Sequence, residues 1–234
     1  MTTKQHDPDL SARAGKTGTP TQLISRETSE FDRGLSFFDA IYAFAITLLI
    51  ANVDAPPAEA WHDLGTLLDT GVVRQLGGFA LSFVVIAAFW RVNLGLVKRV
   101  SAMDSATTTM NLVAAAFVVL IPFTTQGISD PASENYVLPT ILYAVNIATA
   151  SIAQLAMFEV ARRRGLETDR LSLRAHTAFV LDWLVVPAVF LASIPVALLW
   201  GADAGKITWA ALLILGPLSA WLVTRRAARP TPPR

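Results

Sequence analysis

Residues 33–51 read RGLSFFDAIYAFAITLLIA: an arginine, then a nearly unbroken apolar run with one acid, Asp39, and one aliphatic hydroxyl deep within it, Thr47. A bilayer core about 30 Å thick takes roughly 20 mostly apolar residues as a helix. Lipid offers no partner to exposed backbone groups, so a helix is the structure such a run adopts. Similar blocks follow at 76–97, 106–125, 136–160, 177–200 and 207–223, which with 35–51 makes six. The 234-residue chain is 53% hydrophobic and 16% charged, against about 25% charged in an ordinary soluble domain. The expected fold is all-α: a polytopic membrane protein with six transmembrane helices per chain. No alternating pattern of barrel strands is visible, and the block lengths exclude a soluble protein with buried helices.

The positive charges orient the blocks. Lys4, Arg13, Lys16, Arg26 and Arg33 precede the first block; Lys98 and Arg99 follow the second. Arg162, Arg163, Arg164, Arg170 and Arg174 follow the fourth, and Arg225, Arg226, Arg229 and Arg234 end the chain. With six spans all of these fall on one side, and Arg74 and Lys206 alone fall on the other. The opposite loops carry Asp54, Glu59, Asp63, Asp69, Asp130 and Glu134. By the positive-inside rule the protein is a multi-pass protein of the cell membrane with both termini cytosolic. The expected organisation is a disordered cytosolic tail over 1–30, polar and rich in Pro, Gly, Ser and Thr, a six-span domain over 31–224, and a basic cytosolic tail over 225–234. No apolar stretch near Met1 marks a cleaved signal. The absence of cysteine excludes disulfides, thiolate metal sites and cysteine nucleophiles.

Ionisable groups inside spans are costly and need partners. Three stand out: Asp39 in the first span, Arg91 in the second and Asp182 in the fifth, with Asn93, Asn111, Asn146 and Gln154 as neutral polar company. Asp39 lies six residues past Arg33, roughly 9 Å deep; Arg91 lies seven before Lys98, roughly 10 Å; Asn111 lies roughly 8 Å into the third span. Equal depth predicts a buried cluster in which Asp39 accepts hydrogen bonds from Arg91, Asn111 or both. Such a cluster either joins helices or takes part in ion movement. Asp182 lies about six residues past His176 and is expected to find its partner on another helix; Pro187 and Pro195 are expected to kink the fifth span. On the first span, helical spacing aligns Phe37, Ala40, Phe44, Leu48 and Ala51, with Thr47 beside them.

Over its first 125 or so residues the chain resembles the transmembrane protein 175 family of bacterial and endolysosomal potassium channels. The family's first span carries Arg, three residues, Phe-Ser-Asp, then an apolar run ending Thr-Leu-Leu. Here Arg33, Phe37, Phe38, Asp39, Thr47, Leu48 and Leu49 stand at the matching spacing. SFVVIAAFWRVN, residues 82–93, is similar to the family's second span, and NLVAAAFVVLIPFT, residues 111–124, to its third. Three positions depart from the pattern: Phe38 replaces the serine, Asn93 stands where a histidine is usual, and Phe44 replaces the Ile or Leu of the narrowest constriction. The resemblance implies a homotetramer whose four first spans line one pore, with Phe44, Thr47, Leu48 and Ala51 on the pore face and potassium passing transiently near Thr47. With Arg33 and Asn93, which stand at positions of the family's pattern, Asp39, Arg91 and Asn111 complete the expected structural polar cluster. No TVGYG filter sequence occurs, so no re-entrant pore loop is expected, and a ring of apolar side chains can gate by dewetting.

The function expected is therefore a potassium-permeable cation channel, whose partners are potassium ions, the lipid bilayer and its own copies. The alternative is a proton- or cation-coupled secondary transporter titrating Asp39 and Asp182, although the two three-span halves do not look alike as transporter repeats do. An enzyme is not expected: His6, His62 and His176 are scattered and no HExxH-type spacing occurs. No cofactor or resident metal is implied. The basic runs flank spans, so nucleic-acid binding is not expected either.

Overall fold

Signals at the helix ends set the elements. The computed structural model describes residues 23–133, 135–216 and 218. A short strand, β1 (Ile24–Ser25), leads to α1 (Ser29–Leu48). Thr28 caps α1 by accepting the Phe31 N–H, and Glu30 and Asp32 sit in its first turn, where the helix dipole favours acids. α1 tightens into a 3₁₀ turn, Leu49–Asn52. There follow α2 (Leu64–Asp69), α3 (Val72–Val97), the strand β2 (Ala102–Met103), α4 (Ser105–Val119), α5 (Ile121–Ser129), α6 (Leu138–Arg163), α7 (Leu173–Trp183), α8 (Val185–Trp200) and α9 (Ala202–Thr208). α9 continues as a 3₁₀ turn, Trp209–Ala211, and helical residues 212–216.

Two spans are each built from two helices, and proline explains both breaks. A proline lacks the N–H and its ring meets the carbonyl four residues earlier. Pro122 faces the carbonyl of Val118, and the third span divides into α4 and α5 around Leu120. Pro187 faces that of Trp183, and the fifth divides into α7 and α8 at Leu184. Pro195 lies inside α8 without ending it. Among the described residues, five helical stretches are long and apolar enough to cross a membrane: Ser29–Asn52, Val72–Val97, Ser105–Ser129, Leu138–Arg163 and Leu173–Trp200. The sixth expected span, 207–223, is helical in its described part but begins earlier, at Ala202. Its remainder and the tail at 225–234 lie outside the described residues. The tail expected over 1–30 ends sooner, because the chain is ordered into β1 by Ile24 and into α1 by Ser29; residues 1–22 lie outside the described residues.

α6 is the central helix and α1 a peripheral one: 61% of the α6 span is buried against 22% of the first. α6 packs on α4, α5 and α8. Alanines at 114 and 115 on α4, and at 144, 148 and 150 on α6, are all buried and let the backbones approach. At the acidic end a Cβ on Gly78 would lie 2.5 Å from that of Ser129, and one on Gly205 would lie 2.6 Å from that of Ala197. Both glycines are therefore demanded by close helix contact. At the basic end, β1 pairs antiparallel with β2, and the Arg26 guanidinium donates to the Lys98 carbonyl at 2.6 Å. Val100 bridges to Glu167, and Arg164 pairs with Asp104, the residue that caps α4.

Candidate pore face and its polar supports

α1 has two unlike faces. Phe31, Phe38, Tyr42, Ala45 and Leu49 are buried in the protomer. Phe37, Ala40, Phe44, Thr47 and Ala51 are exposed on the other side, Phe44 by 63%, and Leu48 is half-buried at its edge. The stripe expected from helical spacing is thus the face that the rest of the protomer leaves uncovered. Alanines at 40 and 43 flank the bulkier Phe37 and Phe44 on this face. The Thr47 hydroxyl donates to the Phe44 carbonyl at 2.8 Å. Its proton is turned into the helix, and its oxygen lone pairs remain available to an outside cation.

Behind this face, polar side chains fix α1 to its neighbours. Asp39 Oδ1 accepts the Trp90 indole N–H at 2.9 Å. This corrects the expected pairing: Asp39 bonds neither Arg91 nor Asn111. Arg91 is exposed and makes no hydrogen bond or ion pair among the described residues, because helical rotation points it away from α1 while its neighbour Trp90 faces it. Asn93 and Asn111 do meet, both buried, the Asn93 amide donating to Asn111 Oδ1 at 2.6 Å. Arg33 is exposed at the start of α1. The five residues assigned to one cluster thus divide into a tryptophan-bound acid, an asparagine pair on the second and third spans, and two exposed arginines. Phe38, where the family has serine, is a core residue packed edge-on against Phe37 at 5.8 Å.

Two junctions were not singled out from the sequence. Gln154 Nε2, at the centre of α6, donates to the Tyr42 hydroxyl at 2.9 Å and to the Phe89 carbonyl at 3.1 Å, joining α1, α3 and α6. Thr125 donates to Ser82 Oγ at 2.6 Å, and Ser82 also meets the Tyr143 hydroxyl at 3.1 Å, joining α3, α5 and α6. Trp90 lies at nearly the depth of Asp39, so a depth argument admitting indole donors would have found it. The Tyr42–Gln154 pair needs knowledge of which helices touch. Asp182 lies in the last turn of α7, and among the described residues its carboxylate has no bond to Asp39; His176 pairs instead with Glu159 of α6 at 3.0 Å.

The fold defines a polytopic helical membrane protein with one uncovered, hydroxyl-bearing face on α1. Residues 33–122 match the family model described as the endosomal/lysosomal potassium channel TMEM175, which bears out the resemblance carried by the first three spans. A potassium channel of Streptomyces collinus is 26% identical over 157 residues, 64% of this chain and 74% of its own length. A potassium channel of a Chryseobacterium species is 22% identical, covering 62% of this chain and 71% of its own. A crystal structure described as a lysosomal potassium-selective channel TMEM175 homologue from Chamaesiphon minutus superposes with a TM-score of 0.59 over 86% of this chain and 100% of that chain, at 20% identity, a likeness of fold.

Proposed function

We propose that the protein is a potassium-permeable channel in which four copies meet through the outer faces of their α1 helices. In this reading Phe44 forms the narrowest ring, with Thr47, Leu48 and Ala51 lining the path beyond it. The observation that carries the reading is the α1 face itself, which is exposed along Phe37, Ala40, Phe44, Thr47 and Ala51 while its opposite face is buried. An apolar ring excludes water and so ions without a charged plug, and four phenylalanines close a path more tightly than branched aliphatics. Outward-turned Thr47 oxygens then offer ligands to a partly dehydrated cation. The membrane is the cell membrane, with the basic end of the bundle in the cytosol.

The test is potassium flux into liposomes. Phe44→Ala raises the basal flux, and Thr47→Val changes the potassium-to-sodium ratio. If Phe44→Ala leaves flux at the level of empty vesicles while the assembly stays intact, the pore face is misassigned.

A further inference from the structure

Arg91 lies in the second span, roughly 10 Å short of Lys98 at its basic end. It is exposed and makes no hydrogen bond or ion pair among the described residues. A guanidinium inside a span is costly and needs a partner. Its own helix offers none, since Val72–Val97 contains neither Asp nor Glu. Asp39, the acid at nearly the same depth, is held by Trp90 on a different side of α3. Among the described residues, then, nothing supplies the counter-charge of Arg91.

The surface around Arg91 has a shape as well as a charge. Val84, Ala88, Arg91, Gly95 and Lys98 recur at spacings of three and four, and all are exposed, forming one stripe along α3 and its C-cap. The Lys98 carbonyl accepts from Arg26, but among the described residues its ammonium has no partner either. A side chain on a helix leans over the turn that precedes it, so the Lys98 stem leans toward Gly95. Arg91 stands one turn before Gly95, and its long stem lets the charged head turn toward the interface. The two cations therefore converge over Gly95, where no side chain intervenes and an added Cβ would meet nothing within 4 Å. The result is a notch flanked by two cations, opening onto the apolar surface of Ala88 and Val84.

We propose that this notch binds an anionic phospholipid of the leaflet at the basic end, its phosphate held between Arg91 and Lys98 over Gly95 and one acyl chain lying along Ala88 and Val84. The non-bridging oxygens of a phosphodiester accept charge-assisted hydrogen bonds from both cations. The planar guanidinium fixes the orientation of the phosphate, and the ammonium adds a point charge. A phosphocholine lipid carries the same phosphate, but its choline brings a third cation to a helix that has no acid to balance it. The site therefore selects by the net charge of the headgroup. The bound lipid braces α3 on the side away from the Asn93–Asn111 pair.

The full-length protein in detergent is the sample, with phosphatidylglycerol, phosphatidylcholine or inorganic phosphate added. Native mass spectrometry reads retained lipid, and the melting temperature is followed in parallel. Phosphatidylglycerol is retained and raises the melting temperature; phosphatidylcholine and inorganic phosphate do neither. Arg91→Gln and Lys98→Gln each lower retention about tenfold, the loss of one hydrogen bond between charged groups. Gly95→Leu keeps both charges, fills the notch and lowers retention as well. Neither cationic side chain is bonded to the rest of the protomer among the described residues, and the space beside Gly95 is open. The lipid-free melting temperature therefore does not fall in any of the three variants. Unchanged retention in Arg91→Gln overturns the proposal, and so does unchanged retention in Gly95→Leu, which would mean that charge alone attracts the lipid. Equal retention of phosphatidylcholine, equal stabilisation by inorganic phosphate, or cross-linking of position 91 to another copy overturns it too. None of these readouts depends on ion conduction.

Discussion

The side chain that anchors the intramembrane acid is Trp90. A carboxyl group in a span needs a donor, and Asp39 receives the indole N–H at 2.9 Å. A hydrogen bond contributes about 0.5–1.5 kcal/mol net. Trp90→Phe keeps the ring and removes the donor, and we expect it to lower the melting temperature of the purified protein. Asp39→Asn keeps an acceptor oxygen and is expected to be the milder change. An unchanged melting point in Trp90→Phe would show that the bond contributes nothing. On the proposed pore face, the single residue that separates this chain from the family's pattern is Phe44. The liposome measurement on Phe44→Ala therefore belongs to the same scale, since the face it tests is one side chain wide at its narrowest.

Among the elements, the joint between α4 and α6 at the basic end is held by Asp104. Its carboxylate caps α4 through the Thr107 N–H at 2.8 Å and pairs with Arg164. Burial pushes this carboxyl up, but the Thr107 hydrogen bond and the Arg164 charge outweigh it and hold it below the usual carboxylate range. The stabilisation is therefore complete above about pH 4, the ordinary value of an aspartate, and is lost as pH falls through the lowered folded value. Melting temperatures between pH 7 and pH 3 should show a shallower acid limb in Asp104→Asn than in the wild type. Asp104→Ala should cost about 1 kcal/mol at neutral pH through loss of the cap. The sequence shows which elements exist more clearly than how they join. Block length and charge alternation place the spans because lipid permits few alternatives. Proline positions mark the two divided spans by a local steric rule. The Arg164–Asp104 pair and the Gln154 junction were illegible because they depend on helix neighbours far apart in the chain. Arg91 was placed in the cluster by depth alone, and depth carries no information about rotation about the helix axis.

For the whole molecule, the charge asymmetry predicts that the loop at Glu59 and the turn at Arg163 lie on opposite sides of the membrane. The cysteine-free chain makes this direct to test. Single cysteines at these positions should react with an impermeant label from opposite faces of intact cells, and labelling from the same face would overturn the topology. The same scale shows what the first span can do. It is fastened at both ends: β1 holds it to β2 at the basic end, and at the other end Asn52 donates to the Pro122 carbonyl at 2.6 Å. These two contacts oppose sliding of the helix as a whole along its axis. The Leu49–Asn52 turn supplies a segment of finer thread. Converting it from three residues per turn to 3.6 would swing Ala51 by about 60° relative to Leu48 and draw it in by about 1.5 Å. A disturbance at the basic end would thus reach the far mouth of the span as a twist. In the proposed four-copy assembly, spin labels at Ala51 would read it as a change in distance between copies while labels at Phe37 stay fixed.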